Sequence, residues 1–141
     1  MPMTHRVDQE AGIVRLRCWG ILTNEEMLTS VERMHGDPAR RPGMPSLVDC
    51  RDIAEMRVTP AGMEAAAAIE QALVDPAQES WTIAIIAPQD DVFRLGRIYE
   101  ALRVGSPARV AVFRDAADAE DWLRRQSQGG LRAPVWRAER Y

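Results

Sequence analysis

The chain has 141 residues, 46% hydrophobic and 28% charged, with a net charge of −3 at pH 7. This length suits one domain, which buries enough surface to fold without a disulfide or a metal. The mildly acidic balance argues against a nucleic-acid partner, because phosphate binding requires an excess of basic side chains. The start of the chain lacks the apolar core of a signal peptide. The longest apolar run, 83–87, is too short to cross a membrane, so we expect a cytoplasmic protein without a transmembrane segment.

A β-hairpin is predicted at the start of the chain, with strands over residues 5–8 and 13–19. The second strand shows the period-two pattern of a half-buried strand, with arginines on its polar face. Its alternating residues are Val14, Arg15, Leu16, Arg17 and Cys18.

The first helix is predicted to begin at a capping box formed by Thr23 and Glu26. Its buried stripe holds Met27, Val31 and Met34. Gly36 ends the helix, and His35 in its last turn complements the helix dipole.

A short apolar strand over 47–50 and a loop over 51–58 precede the second predicted helix. Thr59 is a suitable N-cap, and Pro60 suits the first helical position because its missing N–H needs no partner there. The helix is expected to stop before Pro76.

The last part of the chain alternates strands and helices. Strands are predicted over 81–87 and 109–113, with a third helix capped by Asp90 or Asp91 and a fourth capped by Asp115. Gly129 and Gly130 are expected to end the fourth helix.

The order ββαβαβαβα predicts the α/β class, with a mixed, mostly parallel sheet and packed helices. We expect a single domain over 1–128 followed by a tail over 129–141. For the tail, an added edge strand over 134–137 and disorder both remain open.

Several short stretches carry a family resemblance: GILT at 20–23, LVD at 47–49, IAP at 86–88 with RIYEAL at 97–102, and VFRD at 112–115. Together they resemble the STAS domain, and most closely its SpoIIAA-like branch, which is related to the CRAL-TRIO lipid carriers. The resemblance implies the fold and a regulatory role through protein–protein contact. In that family a serine at the start of the second helix is the phosphorylation switch. Thr59 is the one candidate phosphoacceptor at the matching position here, although helix capping also accounts for it.

The second helix is rich in alanine, so it is weakly anchored and could act as a lid over an apolar cleft between itself, the third helix and the sheet. Six residues are predicted to bind an apolar, lipid-like ligand there: Met63, Ala66, Ile69, Leu73, Phe93 and Ile98. Glu70 falls within the apolar arc of this helix, and we expect its side chain to reach solvent.

Two features of the third helix point to contacts with other groups. Gly96 is unfavourable inside a helix, so we expect it to permit close packing against the sheet. Phe93 lies off the buried arc beside Arg97, and these two residues form a candidate protein interface. A homodimer is plausible because Phe93, Trp136 and Tyr141 supply apolar surface that the core does not obviously use.

No catalytic, metal-binding or cofactor-binding motif is recognisable. Asp49, Arg51 and Asp52 are expected to form ion pairs and cap a loop, and Cys18 and Cys50 to act as small hydrophobic residues. The sequence therefore favours a non-enzymatic regulatory module that binds an unknown protein partner. The alternative is a binder or carrier of a small apolar ligand.

Overall fold

The computed structural model describes residues 2–74 and 80–128. These residues form five strands and four helices in the predicted order ββαβαβαβα. They are β1 (Met3–Asp8), β2 (Ile13–Leu22), α1 (Asn24–His35), β3 (Ser46–Met56), α2 (Pro60–Leu73), β4 (Trp81–Ile86), α3 (Asp90–Leu102), β5 (Ala108–Phe113) and α4 (Ala116–Gln128).

The five strands form one sheet in the sequential order β1-β2-β3-β4-β5. The first pair is antiparallel, as a hairpin requires, and the other three pairs are parallel. Because parallel crossovers share one hand, a sequential strand order places the connecting helices on the same face of the sheet. Residues from α1, α2 and α3 accordingly share one apolar core on that face. Helix α4 packs on the opposite face through Ala119 and Leu123.

The predicted helix caps are mostly confirmed. The Thr23 hydroxyl accepts a hydrogen bond from the Glu26 N–H, and the Thr59 hydroxyl accepts one from the Gly62 N–H. Asp115 likewise accepts from the N–H of Asp118. Helix α3 differs from the prediction, because its N-cap is Gln89, which makes no side-chain capping bond. The side chain of Gln89 instead donates to backbone carbonyls of β3.

Strand β3 is longer than predicted, because it continues through the segment 51–56 that the sequence indicates as a loop. This extension pairs with the end of β2 alone, while β4 pairs only with residues 46–49. Most side chains of this extension are exposed, so its sequence is too polar to resemble a buried strand. Ile53 is the residue of the extension that is buried in the core.

Arg15 is not on a polar face as predicted, since only 2% of its surface is exposed. It lies on the face of the sheet that α4 covers, and its Nε is 3.4 Å from a carboxylate oxygen of Asp8. The pKa of Asp8 is lowered by a hydrogen bond from the Ala11 N–H and by Arg15. An ion pair therefore compensates the burial of this arginine.

Gly96 permits the close helix–sheet packing that its position predicts. A Cβ atom built on Gly96 would lie 2.9 Å from both γ-methyl groups of Val112 in β5. No real side chain fits that space, so α3 approaches the sheet more closely than any other residue would allow.

The predictions for Pro76, for the helix end at Gly129 and Gly130, and for the tail with Trp136 and Tyr141 lie outside the described residues. The proposed domain boundary therefore stays a prediction.

Candidate functional site

A cavity of about 110 Å³ lies between the sheet and the layer formed by α1, α2 and α3. Its floor consists of alternate residues of three adjacent strands, as the period-two pattern of strands requires. The floor residues include Leu16 and Cys18 of β2, Val48 and Cys50 of β3, and Ile83 and Ile85 of β4. All three helices contribute to its roof.

The lining is almost wholly apolar, and methionine is its most frequent residue. Five methionines face the cavity: Met3, Met27, Met34, Met56 and Met63. Methionine side chains are flexible and polarisable, and they adapt to ligands of different shapes. The lining is therefore suited to an apolar molecule and can adjust to it.

One end of the cavity carries a buried carboxyl group, that of Glu70 in α2. Only 3% of Glu70 is exposed, so the expectation that it reaches solvent is wrong. The Tyr99 hydroxyl of α3 donates a hydrogen bond to Glu70 Oε1. The His35 Nε2 atom of α1 lies 3.0 Å from Glu70 Oε2. These two contacts compensate the burial of the carboxyl group and connect all three helices.

Burial and the neighbouring Glu70 raise the pKa of Tyr99 well above its ordinary value of 10.0, so its hydroxyl stays a donor. Behind this group, the ring of His35 packs edge-on against Trp81 at a centroid distance of 5.9 Å. The Arg103 guanidinium lies over the same indole and donates to the carbonyl oxygen of Ala67. Glu70 on the apolar arc of its helix is the one sign of this cluster in the sequence, because its other members are spread over distant elements.

The hydroxyl of Ser46 also faces the cavity. Ser46 is the first residue of β3, and only 1% of it is exposed. Its hydroxyl forms no hydrogen bond with any residue that the structure describes. A buried polar atom without a partner is uncommon in folded proteins.

The two cysteines, which the sequence separates widely, meet in the floor of the cavity. Cys18 and Cys50 lie on adjacent strands, at a bulge where the register of β2 and β3 shifts. Their thiols are free. The neighbouring Cys18 thiol and burial raise the pKa of the Cys50 thiol well above its ordinary value of 9.0. Both cysteines are core residues, as predicted, although their contact was not foreseen.

Of the six residues predicted to bind an apolar ligand, Met63 and Ala66 line the cavity. The other four lie outside its lining. Leu73 is 54% exposed, whereas Ile69, Phe93 and Ile98 are half-buried. The cavity lies deeper than the predicted cleft and is covered by α1 as well as by α2 and α3.

The candidate interface residues differ in exposure. Arg97 is exposed, and its Nε atom lies 3.8 Å from Oε2 of Glu100. Phe93 is half-buried, packs against the core, and is covered by the Arg114 guanidinium, 4.1 Å from the ring centroid. Their role in binding a partner stays a prediction.

Thr59 is exposed, but its hydroxyl is already used in capping. It accepts hydrogen bonds from the Gly62 N–H and from the side-chain amide of Asn24. Asn24 also accepts from the Thr59 N–H, which connects the first turns of α1 and α2. Phosphorylation at Thr59 stays a prediction.

Asp49 and Asp52 form ion pairs, as predicted, but they lie within β3 and not in the loop that they were expected to cap. Arg51 binds Asp49 through two nitrogens, at 3.0 and 2.8 Å, and Arg17 pairs with Asp52 at 3.1 Å. The contact with Asp49 raises the pKa of Arg51. Within residues 2–74 and 80–128 no group of three or more metal-ligating side chains comes together. In the same part of the chain, no helix is both long and apolar enough to cross a membrane.

Comparison with solved structures identifies the fold. The chain superposes on the crystal structure of an uncharacterized protein of the DUF3478 family from Shewanella loihica PV-4, with a TM-score of 0.52. The match covers 86% of this chain and 91% of the other, at 18% sequence identity. The fold is SpoIIAA-like. The SpoIIAA-like fold is the one expected from the sequence motifs. At the level of sequence, no family model and no curated protein matches the chain.

Proposed function

We propose that this protein binds a small apolar molecule in the cavity between the sheet and helices α1, α2 and α3. The observation that carries this proposal is the composition of the lining. It combines five methionines with aliphatic side chains, and Glu70 is the one acidic or basic residue among the described residues that line it. Concave apolar cavities with a few polar groups are the usual form of small-molecule sites.

The volume of the cavity limits the size of the ligand. An apolar cavity of roughly 150 Å³ in another protein binds benzene, so about 110 Å³ suits a molecule no larger than one small ring with a single substituent. A longer acyl chain would require the roof to move. The alanine-rich α2 is the part of the roof with the smallest side chains, and Ala66 is its lining residue nearest the middle of the helix.

A titration with toluene tests the proposal. Binding to the folded state alone raises the midpoint of thermal unfolding with ligand concentration. The Ala66→Leu variant places a larger side chain in the cavity and should weaken toluene binding at least about tenfold. Ala68→Leu changes the exposed side of the same helix and should leave binding unchanged. If leucine is not accommodated, Ala66→Val provides a smaller change of the same kind. Unaltered binding in a folded Ala66 variant would contradict the proposal.

A second candidate function is a regulatory role through protein–protein contact, including a homodimer. The SpoIIAA-like fold supports it, as do exposed apolar residues at the carboxyl ends of α2 and α3. These residues are Leu73, Leu102 and Val104, of which Val104 is 82% exposed. Since both helices run antiparallel to the parallel strands, these ends lie at the same edge of the layer. For the homodimer, sedimentation should show a dimer that Val104→Asp dissociates, and a monomer at every concentration would exclude it.

A further inference from the structure

We infer that the ligand carries one uncharged hydroxyl-like group, which hydrogen-bonds to Ser46 at the polar end of the cavity. Here the polar end means Ser46, Glu70 and Tyr99. The inference deepens the proposed function and rests on it, since it concerns the class of molecule that the same cavity accepts.

The first argument is the unsatisfied hydroxyl of Ser46. It is buried, it faces the cavity, and no described residue is its hydrogen-bond partner. Burying a hydroxyl without a partner is unfavourable, so an alanine would suit a purely apolar site better. By contrast, the buried hydroxyl of Ser30 in α1 donates to the Met3 carbonyl oxygen. A polar atom of the ligand would give Ser46 the partner that it lacks.

The second argument is the position of Ser46. It begins β3 and pairs with Ile83 near the start of β4, at the amino edge of the parallel strands. Glu70 and Tyr99 lie in the last turns of α2 and α3, which end at that edge. The Tyr99 hydroxyl donates to Glu70 and still has a lone pair that can accept. The side chains that can form hydrogen bonds therefore lie at one end of the cavity, and the other end is apolar.

The charged groups of the cavity lining also restrict the class of ligand. Among the described lining residues no arginine, lysine or histidine faces the cavity, and the carboxyl group of Glu70 does. A carboxylate or phosphate on the ligand would approach an acidic group without a facing cation, and its desolvation would not be compensated. The polar group of the ligand is therefore uncharged, and a hydroxyl fits because it both donates and accepts.

Phenol and toluene provide the test, because they have the same number of non-hydrogen atoms and differ in one hydroxyl. In a wholly apolar cavity, the unpaired hydroxyl makes phenol bind about tenfold or more weakly than toluene. With Ser46 as partner, we expect phenol to bind at least as tightly as toluene, as measured by calorimetric titration. Benzoate is expected not to bind.

The Ser46→Ala variant assigns the effect to one atom. It should weaken phenol binding about tenfold and leave toluene binding within about twofold. Because the lost hydroxyl has no hydrogen-bond partner among the described residues, the stability of the unliganded variant should be unchanged or higher. Ser30→Ala is the matched control, which should lower stability and leave the ratio of the two affinities unchanged.

The possible failures are distinguishable. Toluene binding that exceeds phenol binding tenfold, or an affinity ratio that Ser46→Ala does not change, would overturn the inference and leave the apolar-ligand proposal intact. Benzoate binding as tight as phenol binding would contradict the inference that the polar group of the ligand is uncharged. Failure of phenol and toluene alike to bind would overturn the proposed function itself.

Discussion

His35 Nε2 lies 3.0 Å from Glu70 Oε2, which joins the last residue of α1 to the last turn of α2. The other oxygen of the same carboxyl group accepts a hydrogen bond from Tyr99 of α3. One buried carboxyl group therefore connects the three helices that roof the cavity. It lies at the polar end of the cavity.

Replacing Glu70 should destabilise the protein strongly. In Glu70→Gln one carboxyl oxygen becomes an NH2 group, so the contact that it makes with Tyr99 or His35 is either re-formed with the opposite donor or lost. We expect a loss of about 3 kcal/mol in the free energy of unfolding, measured by urea denaturation at pH 7. Glu64→Gln, on the exposed side of the same helix, is the control and should change it by less than about 0.5 kcal/mol. Equal effects of the two substitutions would contradict a structural role for the Glu70 contacts.

Tyr99→Phe should reveal a pH dependence at the alkaline end. The folded-state pKa of Tyr99 is raised above 10.0. The Tyr99 hydroxyl therefore stabilises the folded protein fully at pH values below 10.0. Its contribution to stability declines as the pH rises toward the pKa of Tyr99 in the folded state. At neutral pH the wild type should be more stable than Tyr99→Phe by about 1–3 kcal/mol, because the variant leaves Glu70 Oε1 without a donor. Urea denaturation at increasing pH should show this difference shrinking above 10.0. A difference that grows there would contradict the assignment.

Gly96→Ala should be destabilising although alanine favours helices by up to about 1 kcal/mol. The new methyl group would lie 2.9 Å from both γ-methyl groups of Val112, and such overpacking costs about 1–3 kcal/mol. In a Val112→Ala background the methyl group has room. The cost of Gly96→Ala should fall there by at least about 1 kcal/mol, as a double-mutant cycle would measure. Additive effects would mean that the two residues are not in contact.

The two thiols in the cavity floor should react slowly in the folded protein. Cys18 and Cys50 are buried, and the pKa of Cys50 is raised, so little of its reactive thiolate forms at neutral pH. A chromogenic disulfide reagent should label neither thiol quickly in buffer and both in denaturant. Rapid labelling of the native protein would show that the cavity opens readily to reagents.

Much of the fold could be predicted from local sequence. Capping residues such as Thr23 and Thr59 mark helix starts through contacts only three residues apart, so they are visible without the tertiary structure. The extension of β3 does not look like a strand in the sequence, because most of its side chains are polar or exposed. The burial of Arg15 is not visible there either, because its ion pair with Asp8 forms only when β1 and β2 pair.

The candidate site was harder to predict. Periodicity placed Met63 and Ala66 toward the core, and both line the cavity. It could not show that Glu70 is buried, because the contacts that compensate its burial come from residues 29 and 35 positions away in sequence. An acidic residue on an apolar arc was the available signal, and its partners were not deducible from spacing.

The most direct test of the account is a methyl NMR titration of methionine-labelled protein with toluene. Five methionines line the cavity, whereas Met44 is buried in the core outside the lining. We expect the methyl signals of Met3, Met27, Met34, Met56 and Met63 to shift with saturation, while that of Met44 does not move. Absence of any saturable shift, or a shift of Met44 as large as the others, would contradict the claim that this cavity is the binding site.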